Sequence, residues 1–225
     1  MDLIVFNFFL SQAIVIPIAI GAMRLKRLDK NYYPFYILLL LGLVAELASF
    51  LFINVFKIGN ASVIKVYSLL ECCIIIYQLY RWQNSDRNKK LFTLLAGICI
   101  AFWVIESIFF LNINTWSPYF RVFYAFVIVL LSVNHINSMM FNDDIVLIKD
   151  PTFIICLGFI IFFLYQIIYE ASYFVGADSN NSPVITKIIV GFGYINFAFN
   201  MLNAIAIYFI TVKPEDGYSQ YLKEA

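Results

Sequence analysis

PFYILLLLGLVAELASFLFINVF, from Pro34 to Phe56, is the stretch whose reading decides the fold. It holds 23 residues and one charge, Glu46. At about 1.5 Å rise per residue a helix of that length outreaches the roughly 30 Å hydrocarbon core of a bilayer. A surface helix of a soluble protein would interleave a polar face, and this one has none. The stretch reads as a membrane-spanning helix.

Working outward, six further stretches have the same character, near 3–23, 62–80, 91–111, 118–141, 152–174 and 184–212. Across the 225 residues, 63% are hydrophobic, 13% are charged, and the mean hydropathy is +0.86. A soluble domain is usually nearer half apolar and a quarter charged. The expected architecture is an all-α integral membrane protein, a seven-transmembrane-helix bundle forming one domain over residues 1–212. A short cytoplasmic tail, 213–225, follows it. The first span opens with MDLIVFNFF, which carries Asp2, has no basic leader and meets no small-residue cleavage site. It is expected to be a retained helix, not a signal peptide.

Basic residues set the expected orientation. Arg24, Lys26, Arg27 and Lys30 crowd the first break, and Arg81, Arg87, Lys89 and Lys90 the third. With Lys149, Lys213 and Lys223 they make 11 on one side, against Lys57, Lys65, Arg121 and Lys187 on the other. Positive-inside bias then places the N-terminus outside and the C-terminus in the cytoplasm. Trp82 and Trp116 fall at opposite ends of spans, as an aromatic belt requires. Composition and compact loops suggest a bacterial inner (plasma) membrane. The net charge of +1 gives no basic surface for nucleic acid. Cys72, Cys73, Cys99 and Cys156 lie inside spans without CxxC spacing, which favours small core residues over disulfide or zinc.

A shift of 60 positions brings Arg27 onto Arg87, Lys30 onto Lys90, Glu46 onto Glu106, and Phe50-Leu51 onto Phe110-Leu111. Internal helical-hairpin repeats, with an added seventh helix, explain that match. A three-plus-one-plus-three duplication is the rival, pairing Glu46 with Glu170 and Lys65 with Lys187. That layout resembles sugar and vitamin carriers of the SWEET and PnuC type in helix count and parallel repeat alone; none of their sequence motifs occurs. No inverted repeat of the kind common in secondary transporters is visible.

Seven ionisable residues fall inside the spans: Glu46, Lys65, Glu71, Glu106, Arg121, Glu170 and Lys187. A lone charge at bilayer depth costs from about 2.5 to more than 10 kcal/mol, so such residues face the bundle interior and pair. Each acid on an outward-going helix has a base on the next helix at similar depth. The expected pairs are Glu46 with Lys65, Glu106 with Arg121, and Glu170 with Lys187. Two readings stand: a set of helix-locking ion pairs, or an outward-facing pocket for a small charged or zwitterionic ligand or ion. Glu71 is the odd acid, sharing a helix face with Ser68 and Gln78 but with no local cation.

A second polar set follows. Asn196, Asn200 and Asn203 form one stripe on the last helix, and His135 sits among Asn134, Asn137 and Ser138 on the fifth. Amides of this kind bridge membrane helices, or they line a watery path. A single histidine argues against a metal site, and no cofactor is implied. GxSxG, HExxH and Gly-rich phosphate loops are absent, and Asp143, Asp144 and Asp150 flank a solvated loop, so catalysis has no signature here. Lys187 lies too near a helix end for a retinal linkage. The sequence therefore points to a ligand- or lipid-sensing or accessory membrane subunit, with the bilayer and a cytoplasmic or membrane protein as partners. A small-solute or ion transporter using the same charges is the alternative.

Overall fold

A computed structural model describes residues 10–83, 86–110, 115–116, 118–140, 147–176 and 183–210. Among them the chain is all helical, with no strand. Helix α1 (Val15–Met23) is entered through a tight turn at Gln12–Ile14. It is followed by α2 (Tyr33–Asn54), α3 (Ala61–Trp82) and α4 (Asp86–Val104), which runs on as a π-helical segment, Ile105–Phe110. Helices α5 (Tyr119–Met140), α6 (Pro151–Gly176) and α7 (Pro183–Phe209) complete the set.

Six of the seven, α2 to α7, are long and apolar enough to cross a membrane. The apolar helix Gln12–Met23 is shorter than a full crossing. Positions 3–9 of the expected first span, and the expected tail, lie outside the described residues.

Helix starts follow from local chemistry. Asp150 Oδ1 accepts from the amides of Thr152 at 2.8 Å and Phe153 at 3.1 Å, and Pro151 needs no donor at the first position of α6. Pro34 serves α2 in the same way, and Gln78 Oε1 accepts from the Phe35 amide at 2.9 Å. The N-terminus of α5 is served from a distance: Glu106 Oε2 accepts from the Phe120 amide at 2.8 Å.

The helices α1, α2, α3, α5, α6 and α7 pack in a ring, each against the next, and α7 closes it against α1. Helix α4 stands outside, against α3 and α5. The outward faces are apolar: Leu94, Phe109, Phe110, Phe126 and Leu130 are all exposed. Exposed apolar area on this scale marks a lipid-facing surface, consistent with an integral membrane protein.

Inside the ring, one half is solid. Cys72, Ile75, Leu79, Ile128, Phe159 and Ile207 are almost wholly buried there. Close approach depends on glycine at two places. A Cβ at Gly191 would collide with the Tyr165 hydroxyl, which bonds Ile188 O at 3.2 Å. A Cβ at Gly21 would strike the ring of Tyr36.

Candidate functional site

The other half of the ring encloses a cavity of about 830 Å³. Its walls come from the Gln12–Ile14 turn region, α2, α3, α5, α6 and α7, but not α4. It extends from Asn54 and Asn60, beside the break between α2 and α3, to Ile75 and Phe159. The volume lies within the range of small-molecule sites.

Two carboxylates line it. Glu46 is partly exposed to the cavity and accepts from Ser11 Oγ at 3.1 Å. Glu71 is buried and doubly bonded: Tyr67 donates to Oε1 at 2.9 Å and Tyr124 to Oε2 at 2.6 Å. Gln166 Nε2 donates in turn to the Tyr124 oxygen at 2.9 Å. The chain Gln166–Tyr124–Glu71–Tyr67 thus ties α6, α5 and α3 together. A buried carboxylate needs that many donors, because each bare oxygen in a low dielectric is costly. Tyr67 lies in the electrostatic field of Glu46 as well as Glu71.

The cation of the cavity wall is Arg121. Its Nε stands 3.1 Å from Glu170 Oε1, with side-chain exposures of 14% and 0%, so the pair is withdrawn from solvent. The guanidinium carbon lies 5.2 Å from the Trp116 ring centroid, and Glu71 is within its field.

Aromatic rings form the remaining wall. Phe162 stacks on Phe199 at 4.7 Å and meets Phe192 at 5.6 Å, while Phe159 meets Phe199 at 6.1 Å. These contacts run continuously from α6 to α7.

The seven intramembrane charges therefore divide. Glu46, Glu71 and Arg121 line the cavity, with Glu170 directly behind Arg121. Lys65 and Glu106 form a second group, each in the other's field, where α3, α4 and the start of α5 meet. There Trp103 Nε1 donates to Lys65 O at 3.0 Å, one turn before Glu106. Lys187 is exposed on α7.

The partners differ from those expected across the outer loops. Arg121 turns to Glu170 on α6, since the Glu106 carboxylate is directed at the α5 amide end. Glu46 faces the cavity and Ser11, whereas Lys65 faces α4. Glu46 and Glu106, in register under the 60-residue shift, thus have unlike surroundings.

The polar stripe divides too. Asn196 and Asn200 line the cavity, with Asn200 Nδ2 donating to Asn196 O at 3.0 Å. Asn203 is fully buried below them, with no hydrogen-bond partner at either amide atom among the described residues. His135 is remote from the cavity, about 16 Å along α5 from Tyr124 at 1.5 Å per residue. It bonds Gln83 at 3.1 Å and stacks on Trp82 at 5.7 Å.

Tyr67, Tyr124, Gln166 and the phenylalanine wall were not singled out by sequence. The available signal was spacing: Tyr67 with Glu71, and Gln166 with Glu170, both i, i+4 on one helix face. Among the described residues no group of three or more His, Cys, Asp or Glu could hold a metal ion. No protein-family model, no curated protein and no solved structure matches the chain.

Proposed function

We propose that this chain is a seven-span sensor or accessory subunit, N-terminus outside and C-terminus in the cytoplasm, whose ring cavity binds a small ligand. In this reading it belongs to a bacterial inner membrane and passes ligand occupancy to a partner protein through its basic loops and tail. The observation that carries it is the one-sided cavity: an enclosed, polar-and-aromatic space at the Asn54–Asn60 end, above a close-packed floor. Such a space can hold a ligand reached from one side, and helices around it can shift when it is filled. The basic Arg24, Lys26, Arg27 and Arg81 lie at the opposite end, and the positive-inside bias supports the proposed orientation. On this view α2 and α4 descend from one hairpin, and their carboxylates have since taken separate tasks.

The test is thermal unfolding in lipid nanodiscs against panels of amines, amino acids, sugars, ions and lipids. A ligand at 100 times its dissociation constant adds about 2.7 kcal/mol, a readable rise in melting temperature. If no compound in any panel shifts the transition, the ligand-site reading fails.

One observation favours a carrier instead. Asn203 continues the Asn196–Asn200 stripe into the floor with its amide unsatisfied, as a polar step in a path would. Flux of a stabilising solute into proteoliposomes, lost on Asn203→Leu, would establish the carrier. Binding without flux would establish the sensor.

A further inference from the structure

We infer that the ligand of this cavity is an organic cation, an amine or quaternary ammonium on a compact apolar body. Its head would sit between Glu46 and Glu71, and its body against the Phe162–Phe192–Phe199 wall. The inference deepens the ligand-site reading above and rests on it.

Charge is the first support. Among the cavity-lining residues the ionisable side chains of ordinary charge are Glu46, Glu71 and Arg121. Arg121 is committed to Glu170, a third carboxylate at 3.1 Å. Among the described residues three acids thus meet one base, and Lys65, which stands in the field of Glu106, does not line the cavity. Fully ionised, the group carries a net charge of −2, in a low-dielectric surround where uncompensated charge is costly. A cationic ligand offsets it; an anionic one adds to it.

The lining chemistry is the second. Aromatic faces attract ammonium groups, most strongly where water is excluded. Tyr67 places its hydroxyl at the carboxylate level and its ring toward the cavity wall, and Phe162 and Phe199 continue the aromatic surface. A bare metal ion would leave most of the 830 Å³ unfilled.

The ammonium has two possible sources, a soluble amine or a lipid headgroup, and the test separates them. The protein is reconstituted in phosphatidylglycerol nanodiscs and in phosphatidylcholine nanodiscs, then melted with 2-phenylethylamine, 2-phenylethanol or 3-phenylpropanoate. For a soluble amine, phenylethylamine binds at least tenfold more tightly than the other two in both lipids. For a headgroup, phosphatidylcholine itself raises the melting temperature and added amine does little more. In either case Glu46→Gln removes the preference. Glutamine keeps an oxygen that can accept from Ser11, so this variant is the least disruptive choice. Phe162→Leu is the second variant; it weakens the amine and the alcohol alike severalfold, since both set the same phenyl body against the wall. Equal binding of all three probes, or tightest binding of the propanoate, overturns the cation inference and leaves the ligand site standing. An amine preference that survives Glu46→Gln, or binding of amine and alcohol that Phe162→Leu leaves unchanged, overturns the placement. No response to probe or lipid overturns the site itself.

Discussion

Tyr124 on α5 donates to Glu71 on α3 across 2.6 Å, joining residues 53 positions apart at the level where the cavity meets its floor. The same phenol oxygen accepts from Gln166, so one hydroxyl serves three helices. Removing it leaves a buried acceptor and a buried donor short of partners. Tyr124→Phe should cost about 1–3 kcal/mol, the usual penalty for an unsatisfied buried group. In a double-mutant cycle with Glu71→Gln the losses should not add, because both disrupt one network. Additive losses in nanodisc melting would show the bond to be incidental.

Arg121 and Glu170 make a buried pair, and the two ways of dismantling it should differ. Removing one partner, as in Glu170→Leu, strands a charge and should cost about 3–5 kcal/mol. Replacing both, Arg121→Met with Glu170→Leu, should restore most of that stability. Chemical or thermal unfolding of the three variants reads the contrast directly.

Glu106 serves the α5 amide end and is the acid in whose field buried Lys65 stands. Glu106→Ala removes a cap and a counter-charge together, so it should cost more than the roughly 1 kcal/mol of an ordinary helix N-cap. Glu106→Gln keeps an acceptor oxygen and should cost less. Neither should alter ligand binding, which is measured against the same amine panel. Loss of binding in Glu106→Gln would join it to the cavity after all.

Gly191 admits the Tyr165 hydroxyl between α6 and α7. Gly191→Ala should destabilise by about 1–3 kcal/mol through overpacking. Tyr165→Phe in the same chain should recover part of the loss, since it deletes the colliding oxygen. A Gly191→Ala protein that melts like wild type would mean that the two helices separate freely at that point.

Orientation has a direct readout. In a background without the four native cysteines, Lys26→Cys should resist a membrane-impermeant maleimide in intact cells. Asn60→Cys should react. The reverse pattern inverts the proposed topology.

The helices were legible from the Pro34–Phe56 run and its five long counterparts, because length and hydropathy carry that signal without help from packing. Position along each helix was legible as well, because it follows from counting residues at about 1.5 Å each. Direction around each helix was not. Arg121 can face α4 or α6 from the same depth, and the choice follows from the ring order, with α4 excluded. That exclusion places Lys65 and Glu106 on the outer seam and leaves Arg121 to Glu170. The ring order depends on side-chain fit such as Gly191 with Tyr165, which periodicity does not encode. The cavity was unreadable for a related reason. Phe159, Phe162, Phe192 and Phe199 look the same in sequence whether they fill a core or line a space.

The contact of α1 with α7 has a consequence for biogenesis. The ring is shut by α1 and α7, the described helices farthest apart along the chain, so it stays an open crescent until α7 has been made. While α7 is absent, lipid has access to Glu46, Glu71 and Arg121, and the cavity does not yet exist. Newly inserted chains must therefore hold these charges in the bilayer for a time without their final enclosure, a state suited to a membrane chaperone or early partner. A chain halted before Pro183 would retain α1 to α6 and have no site.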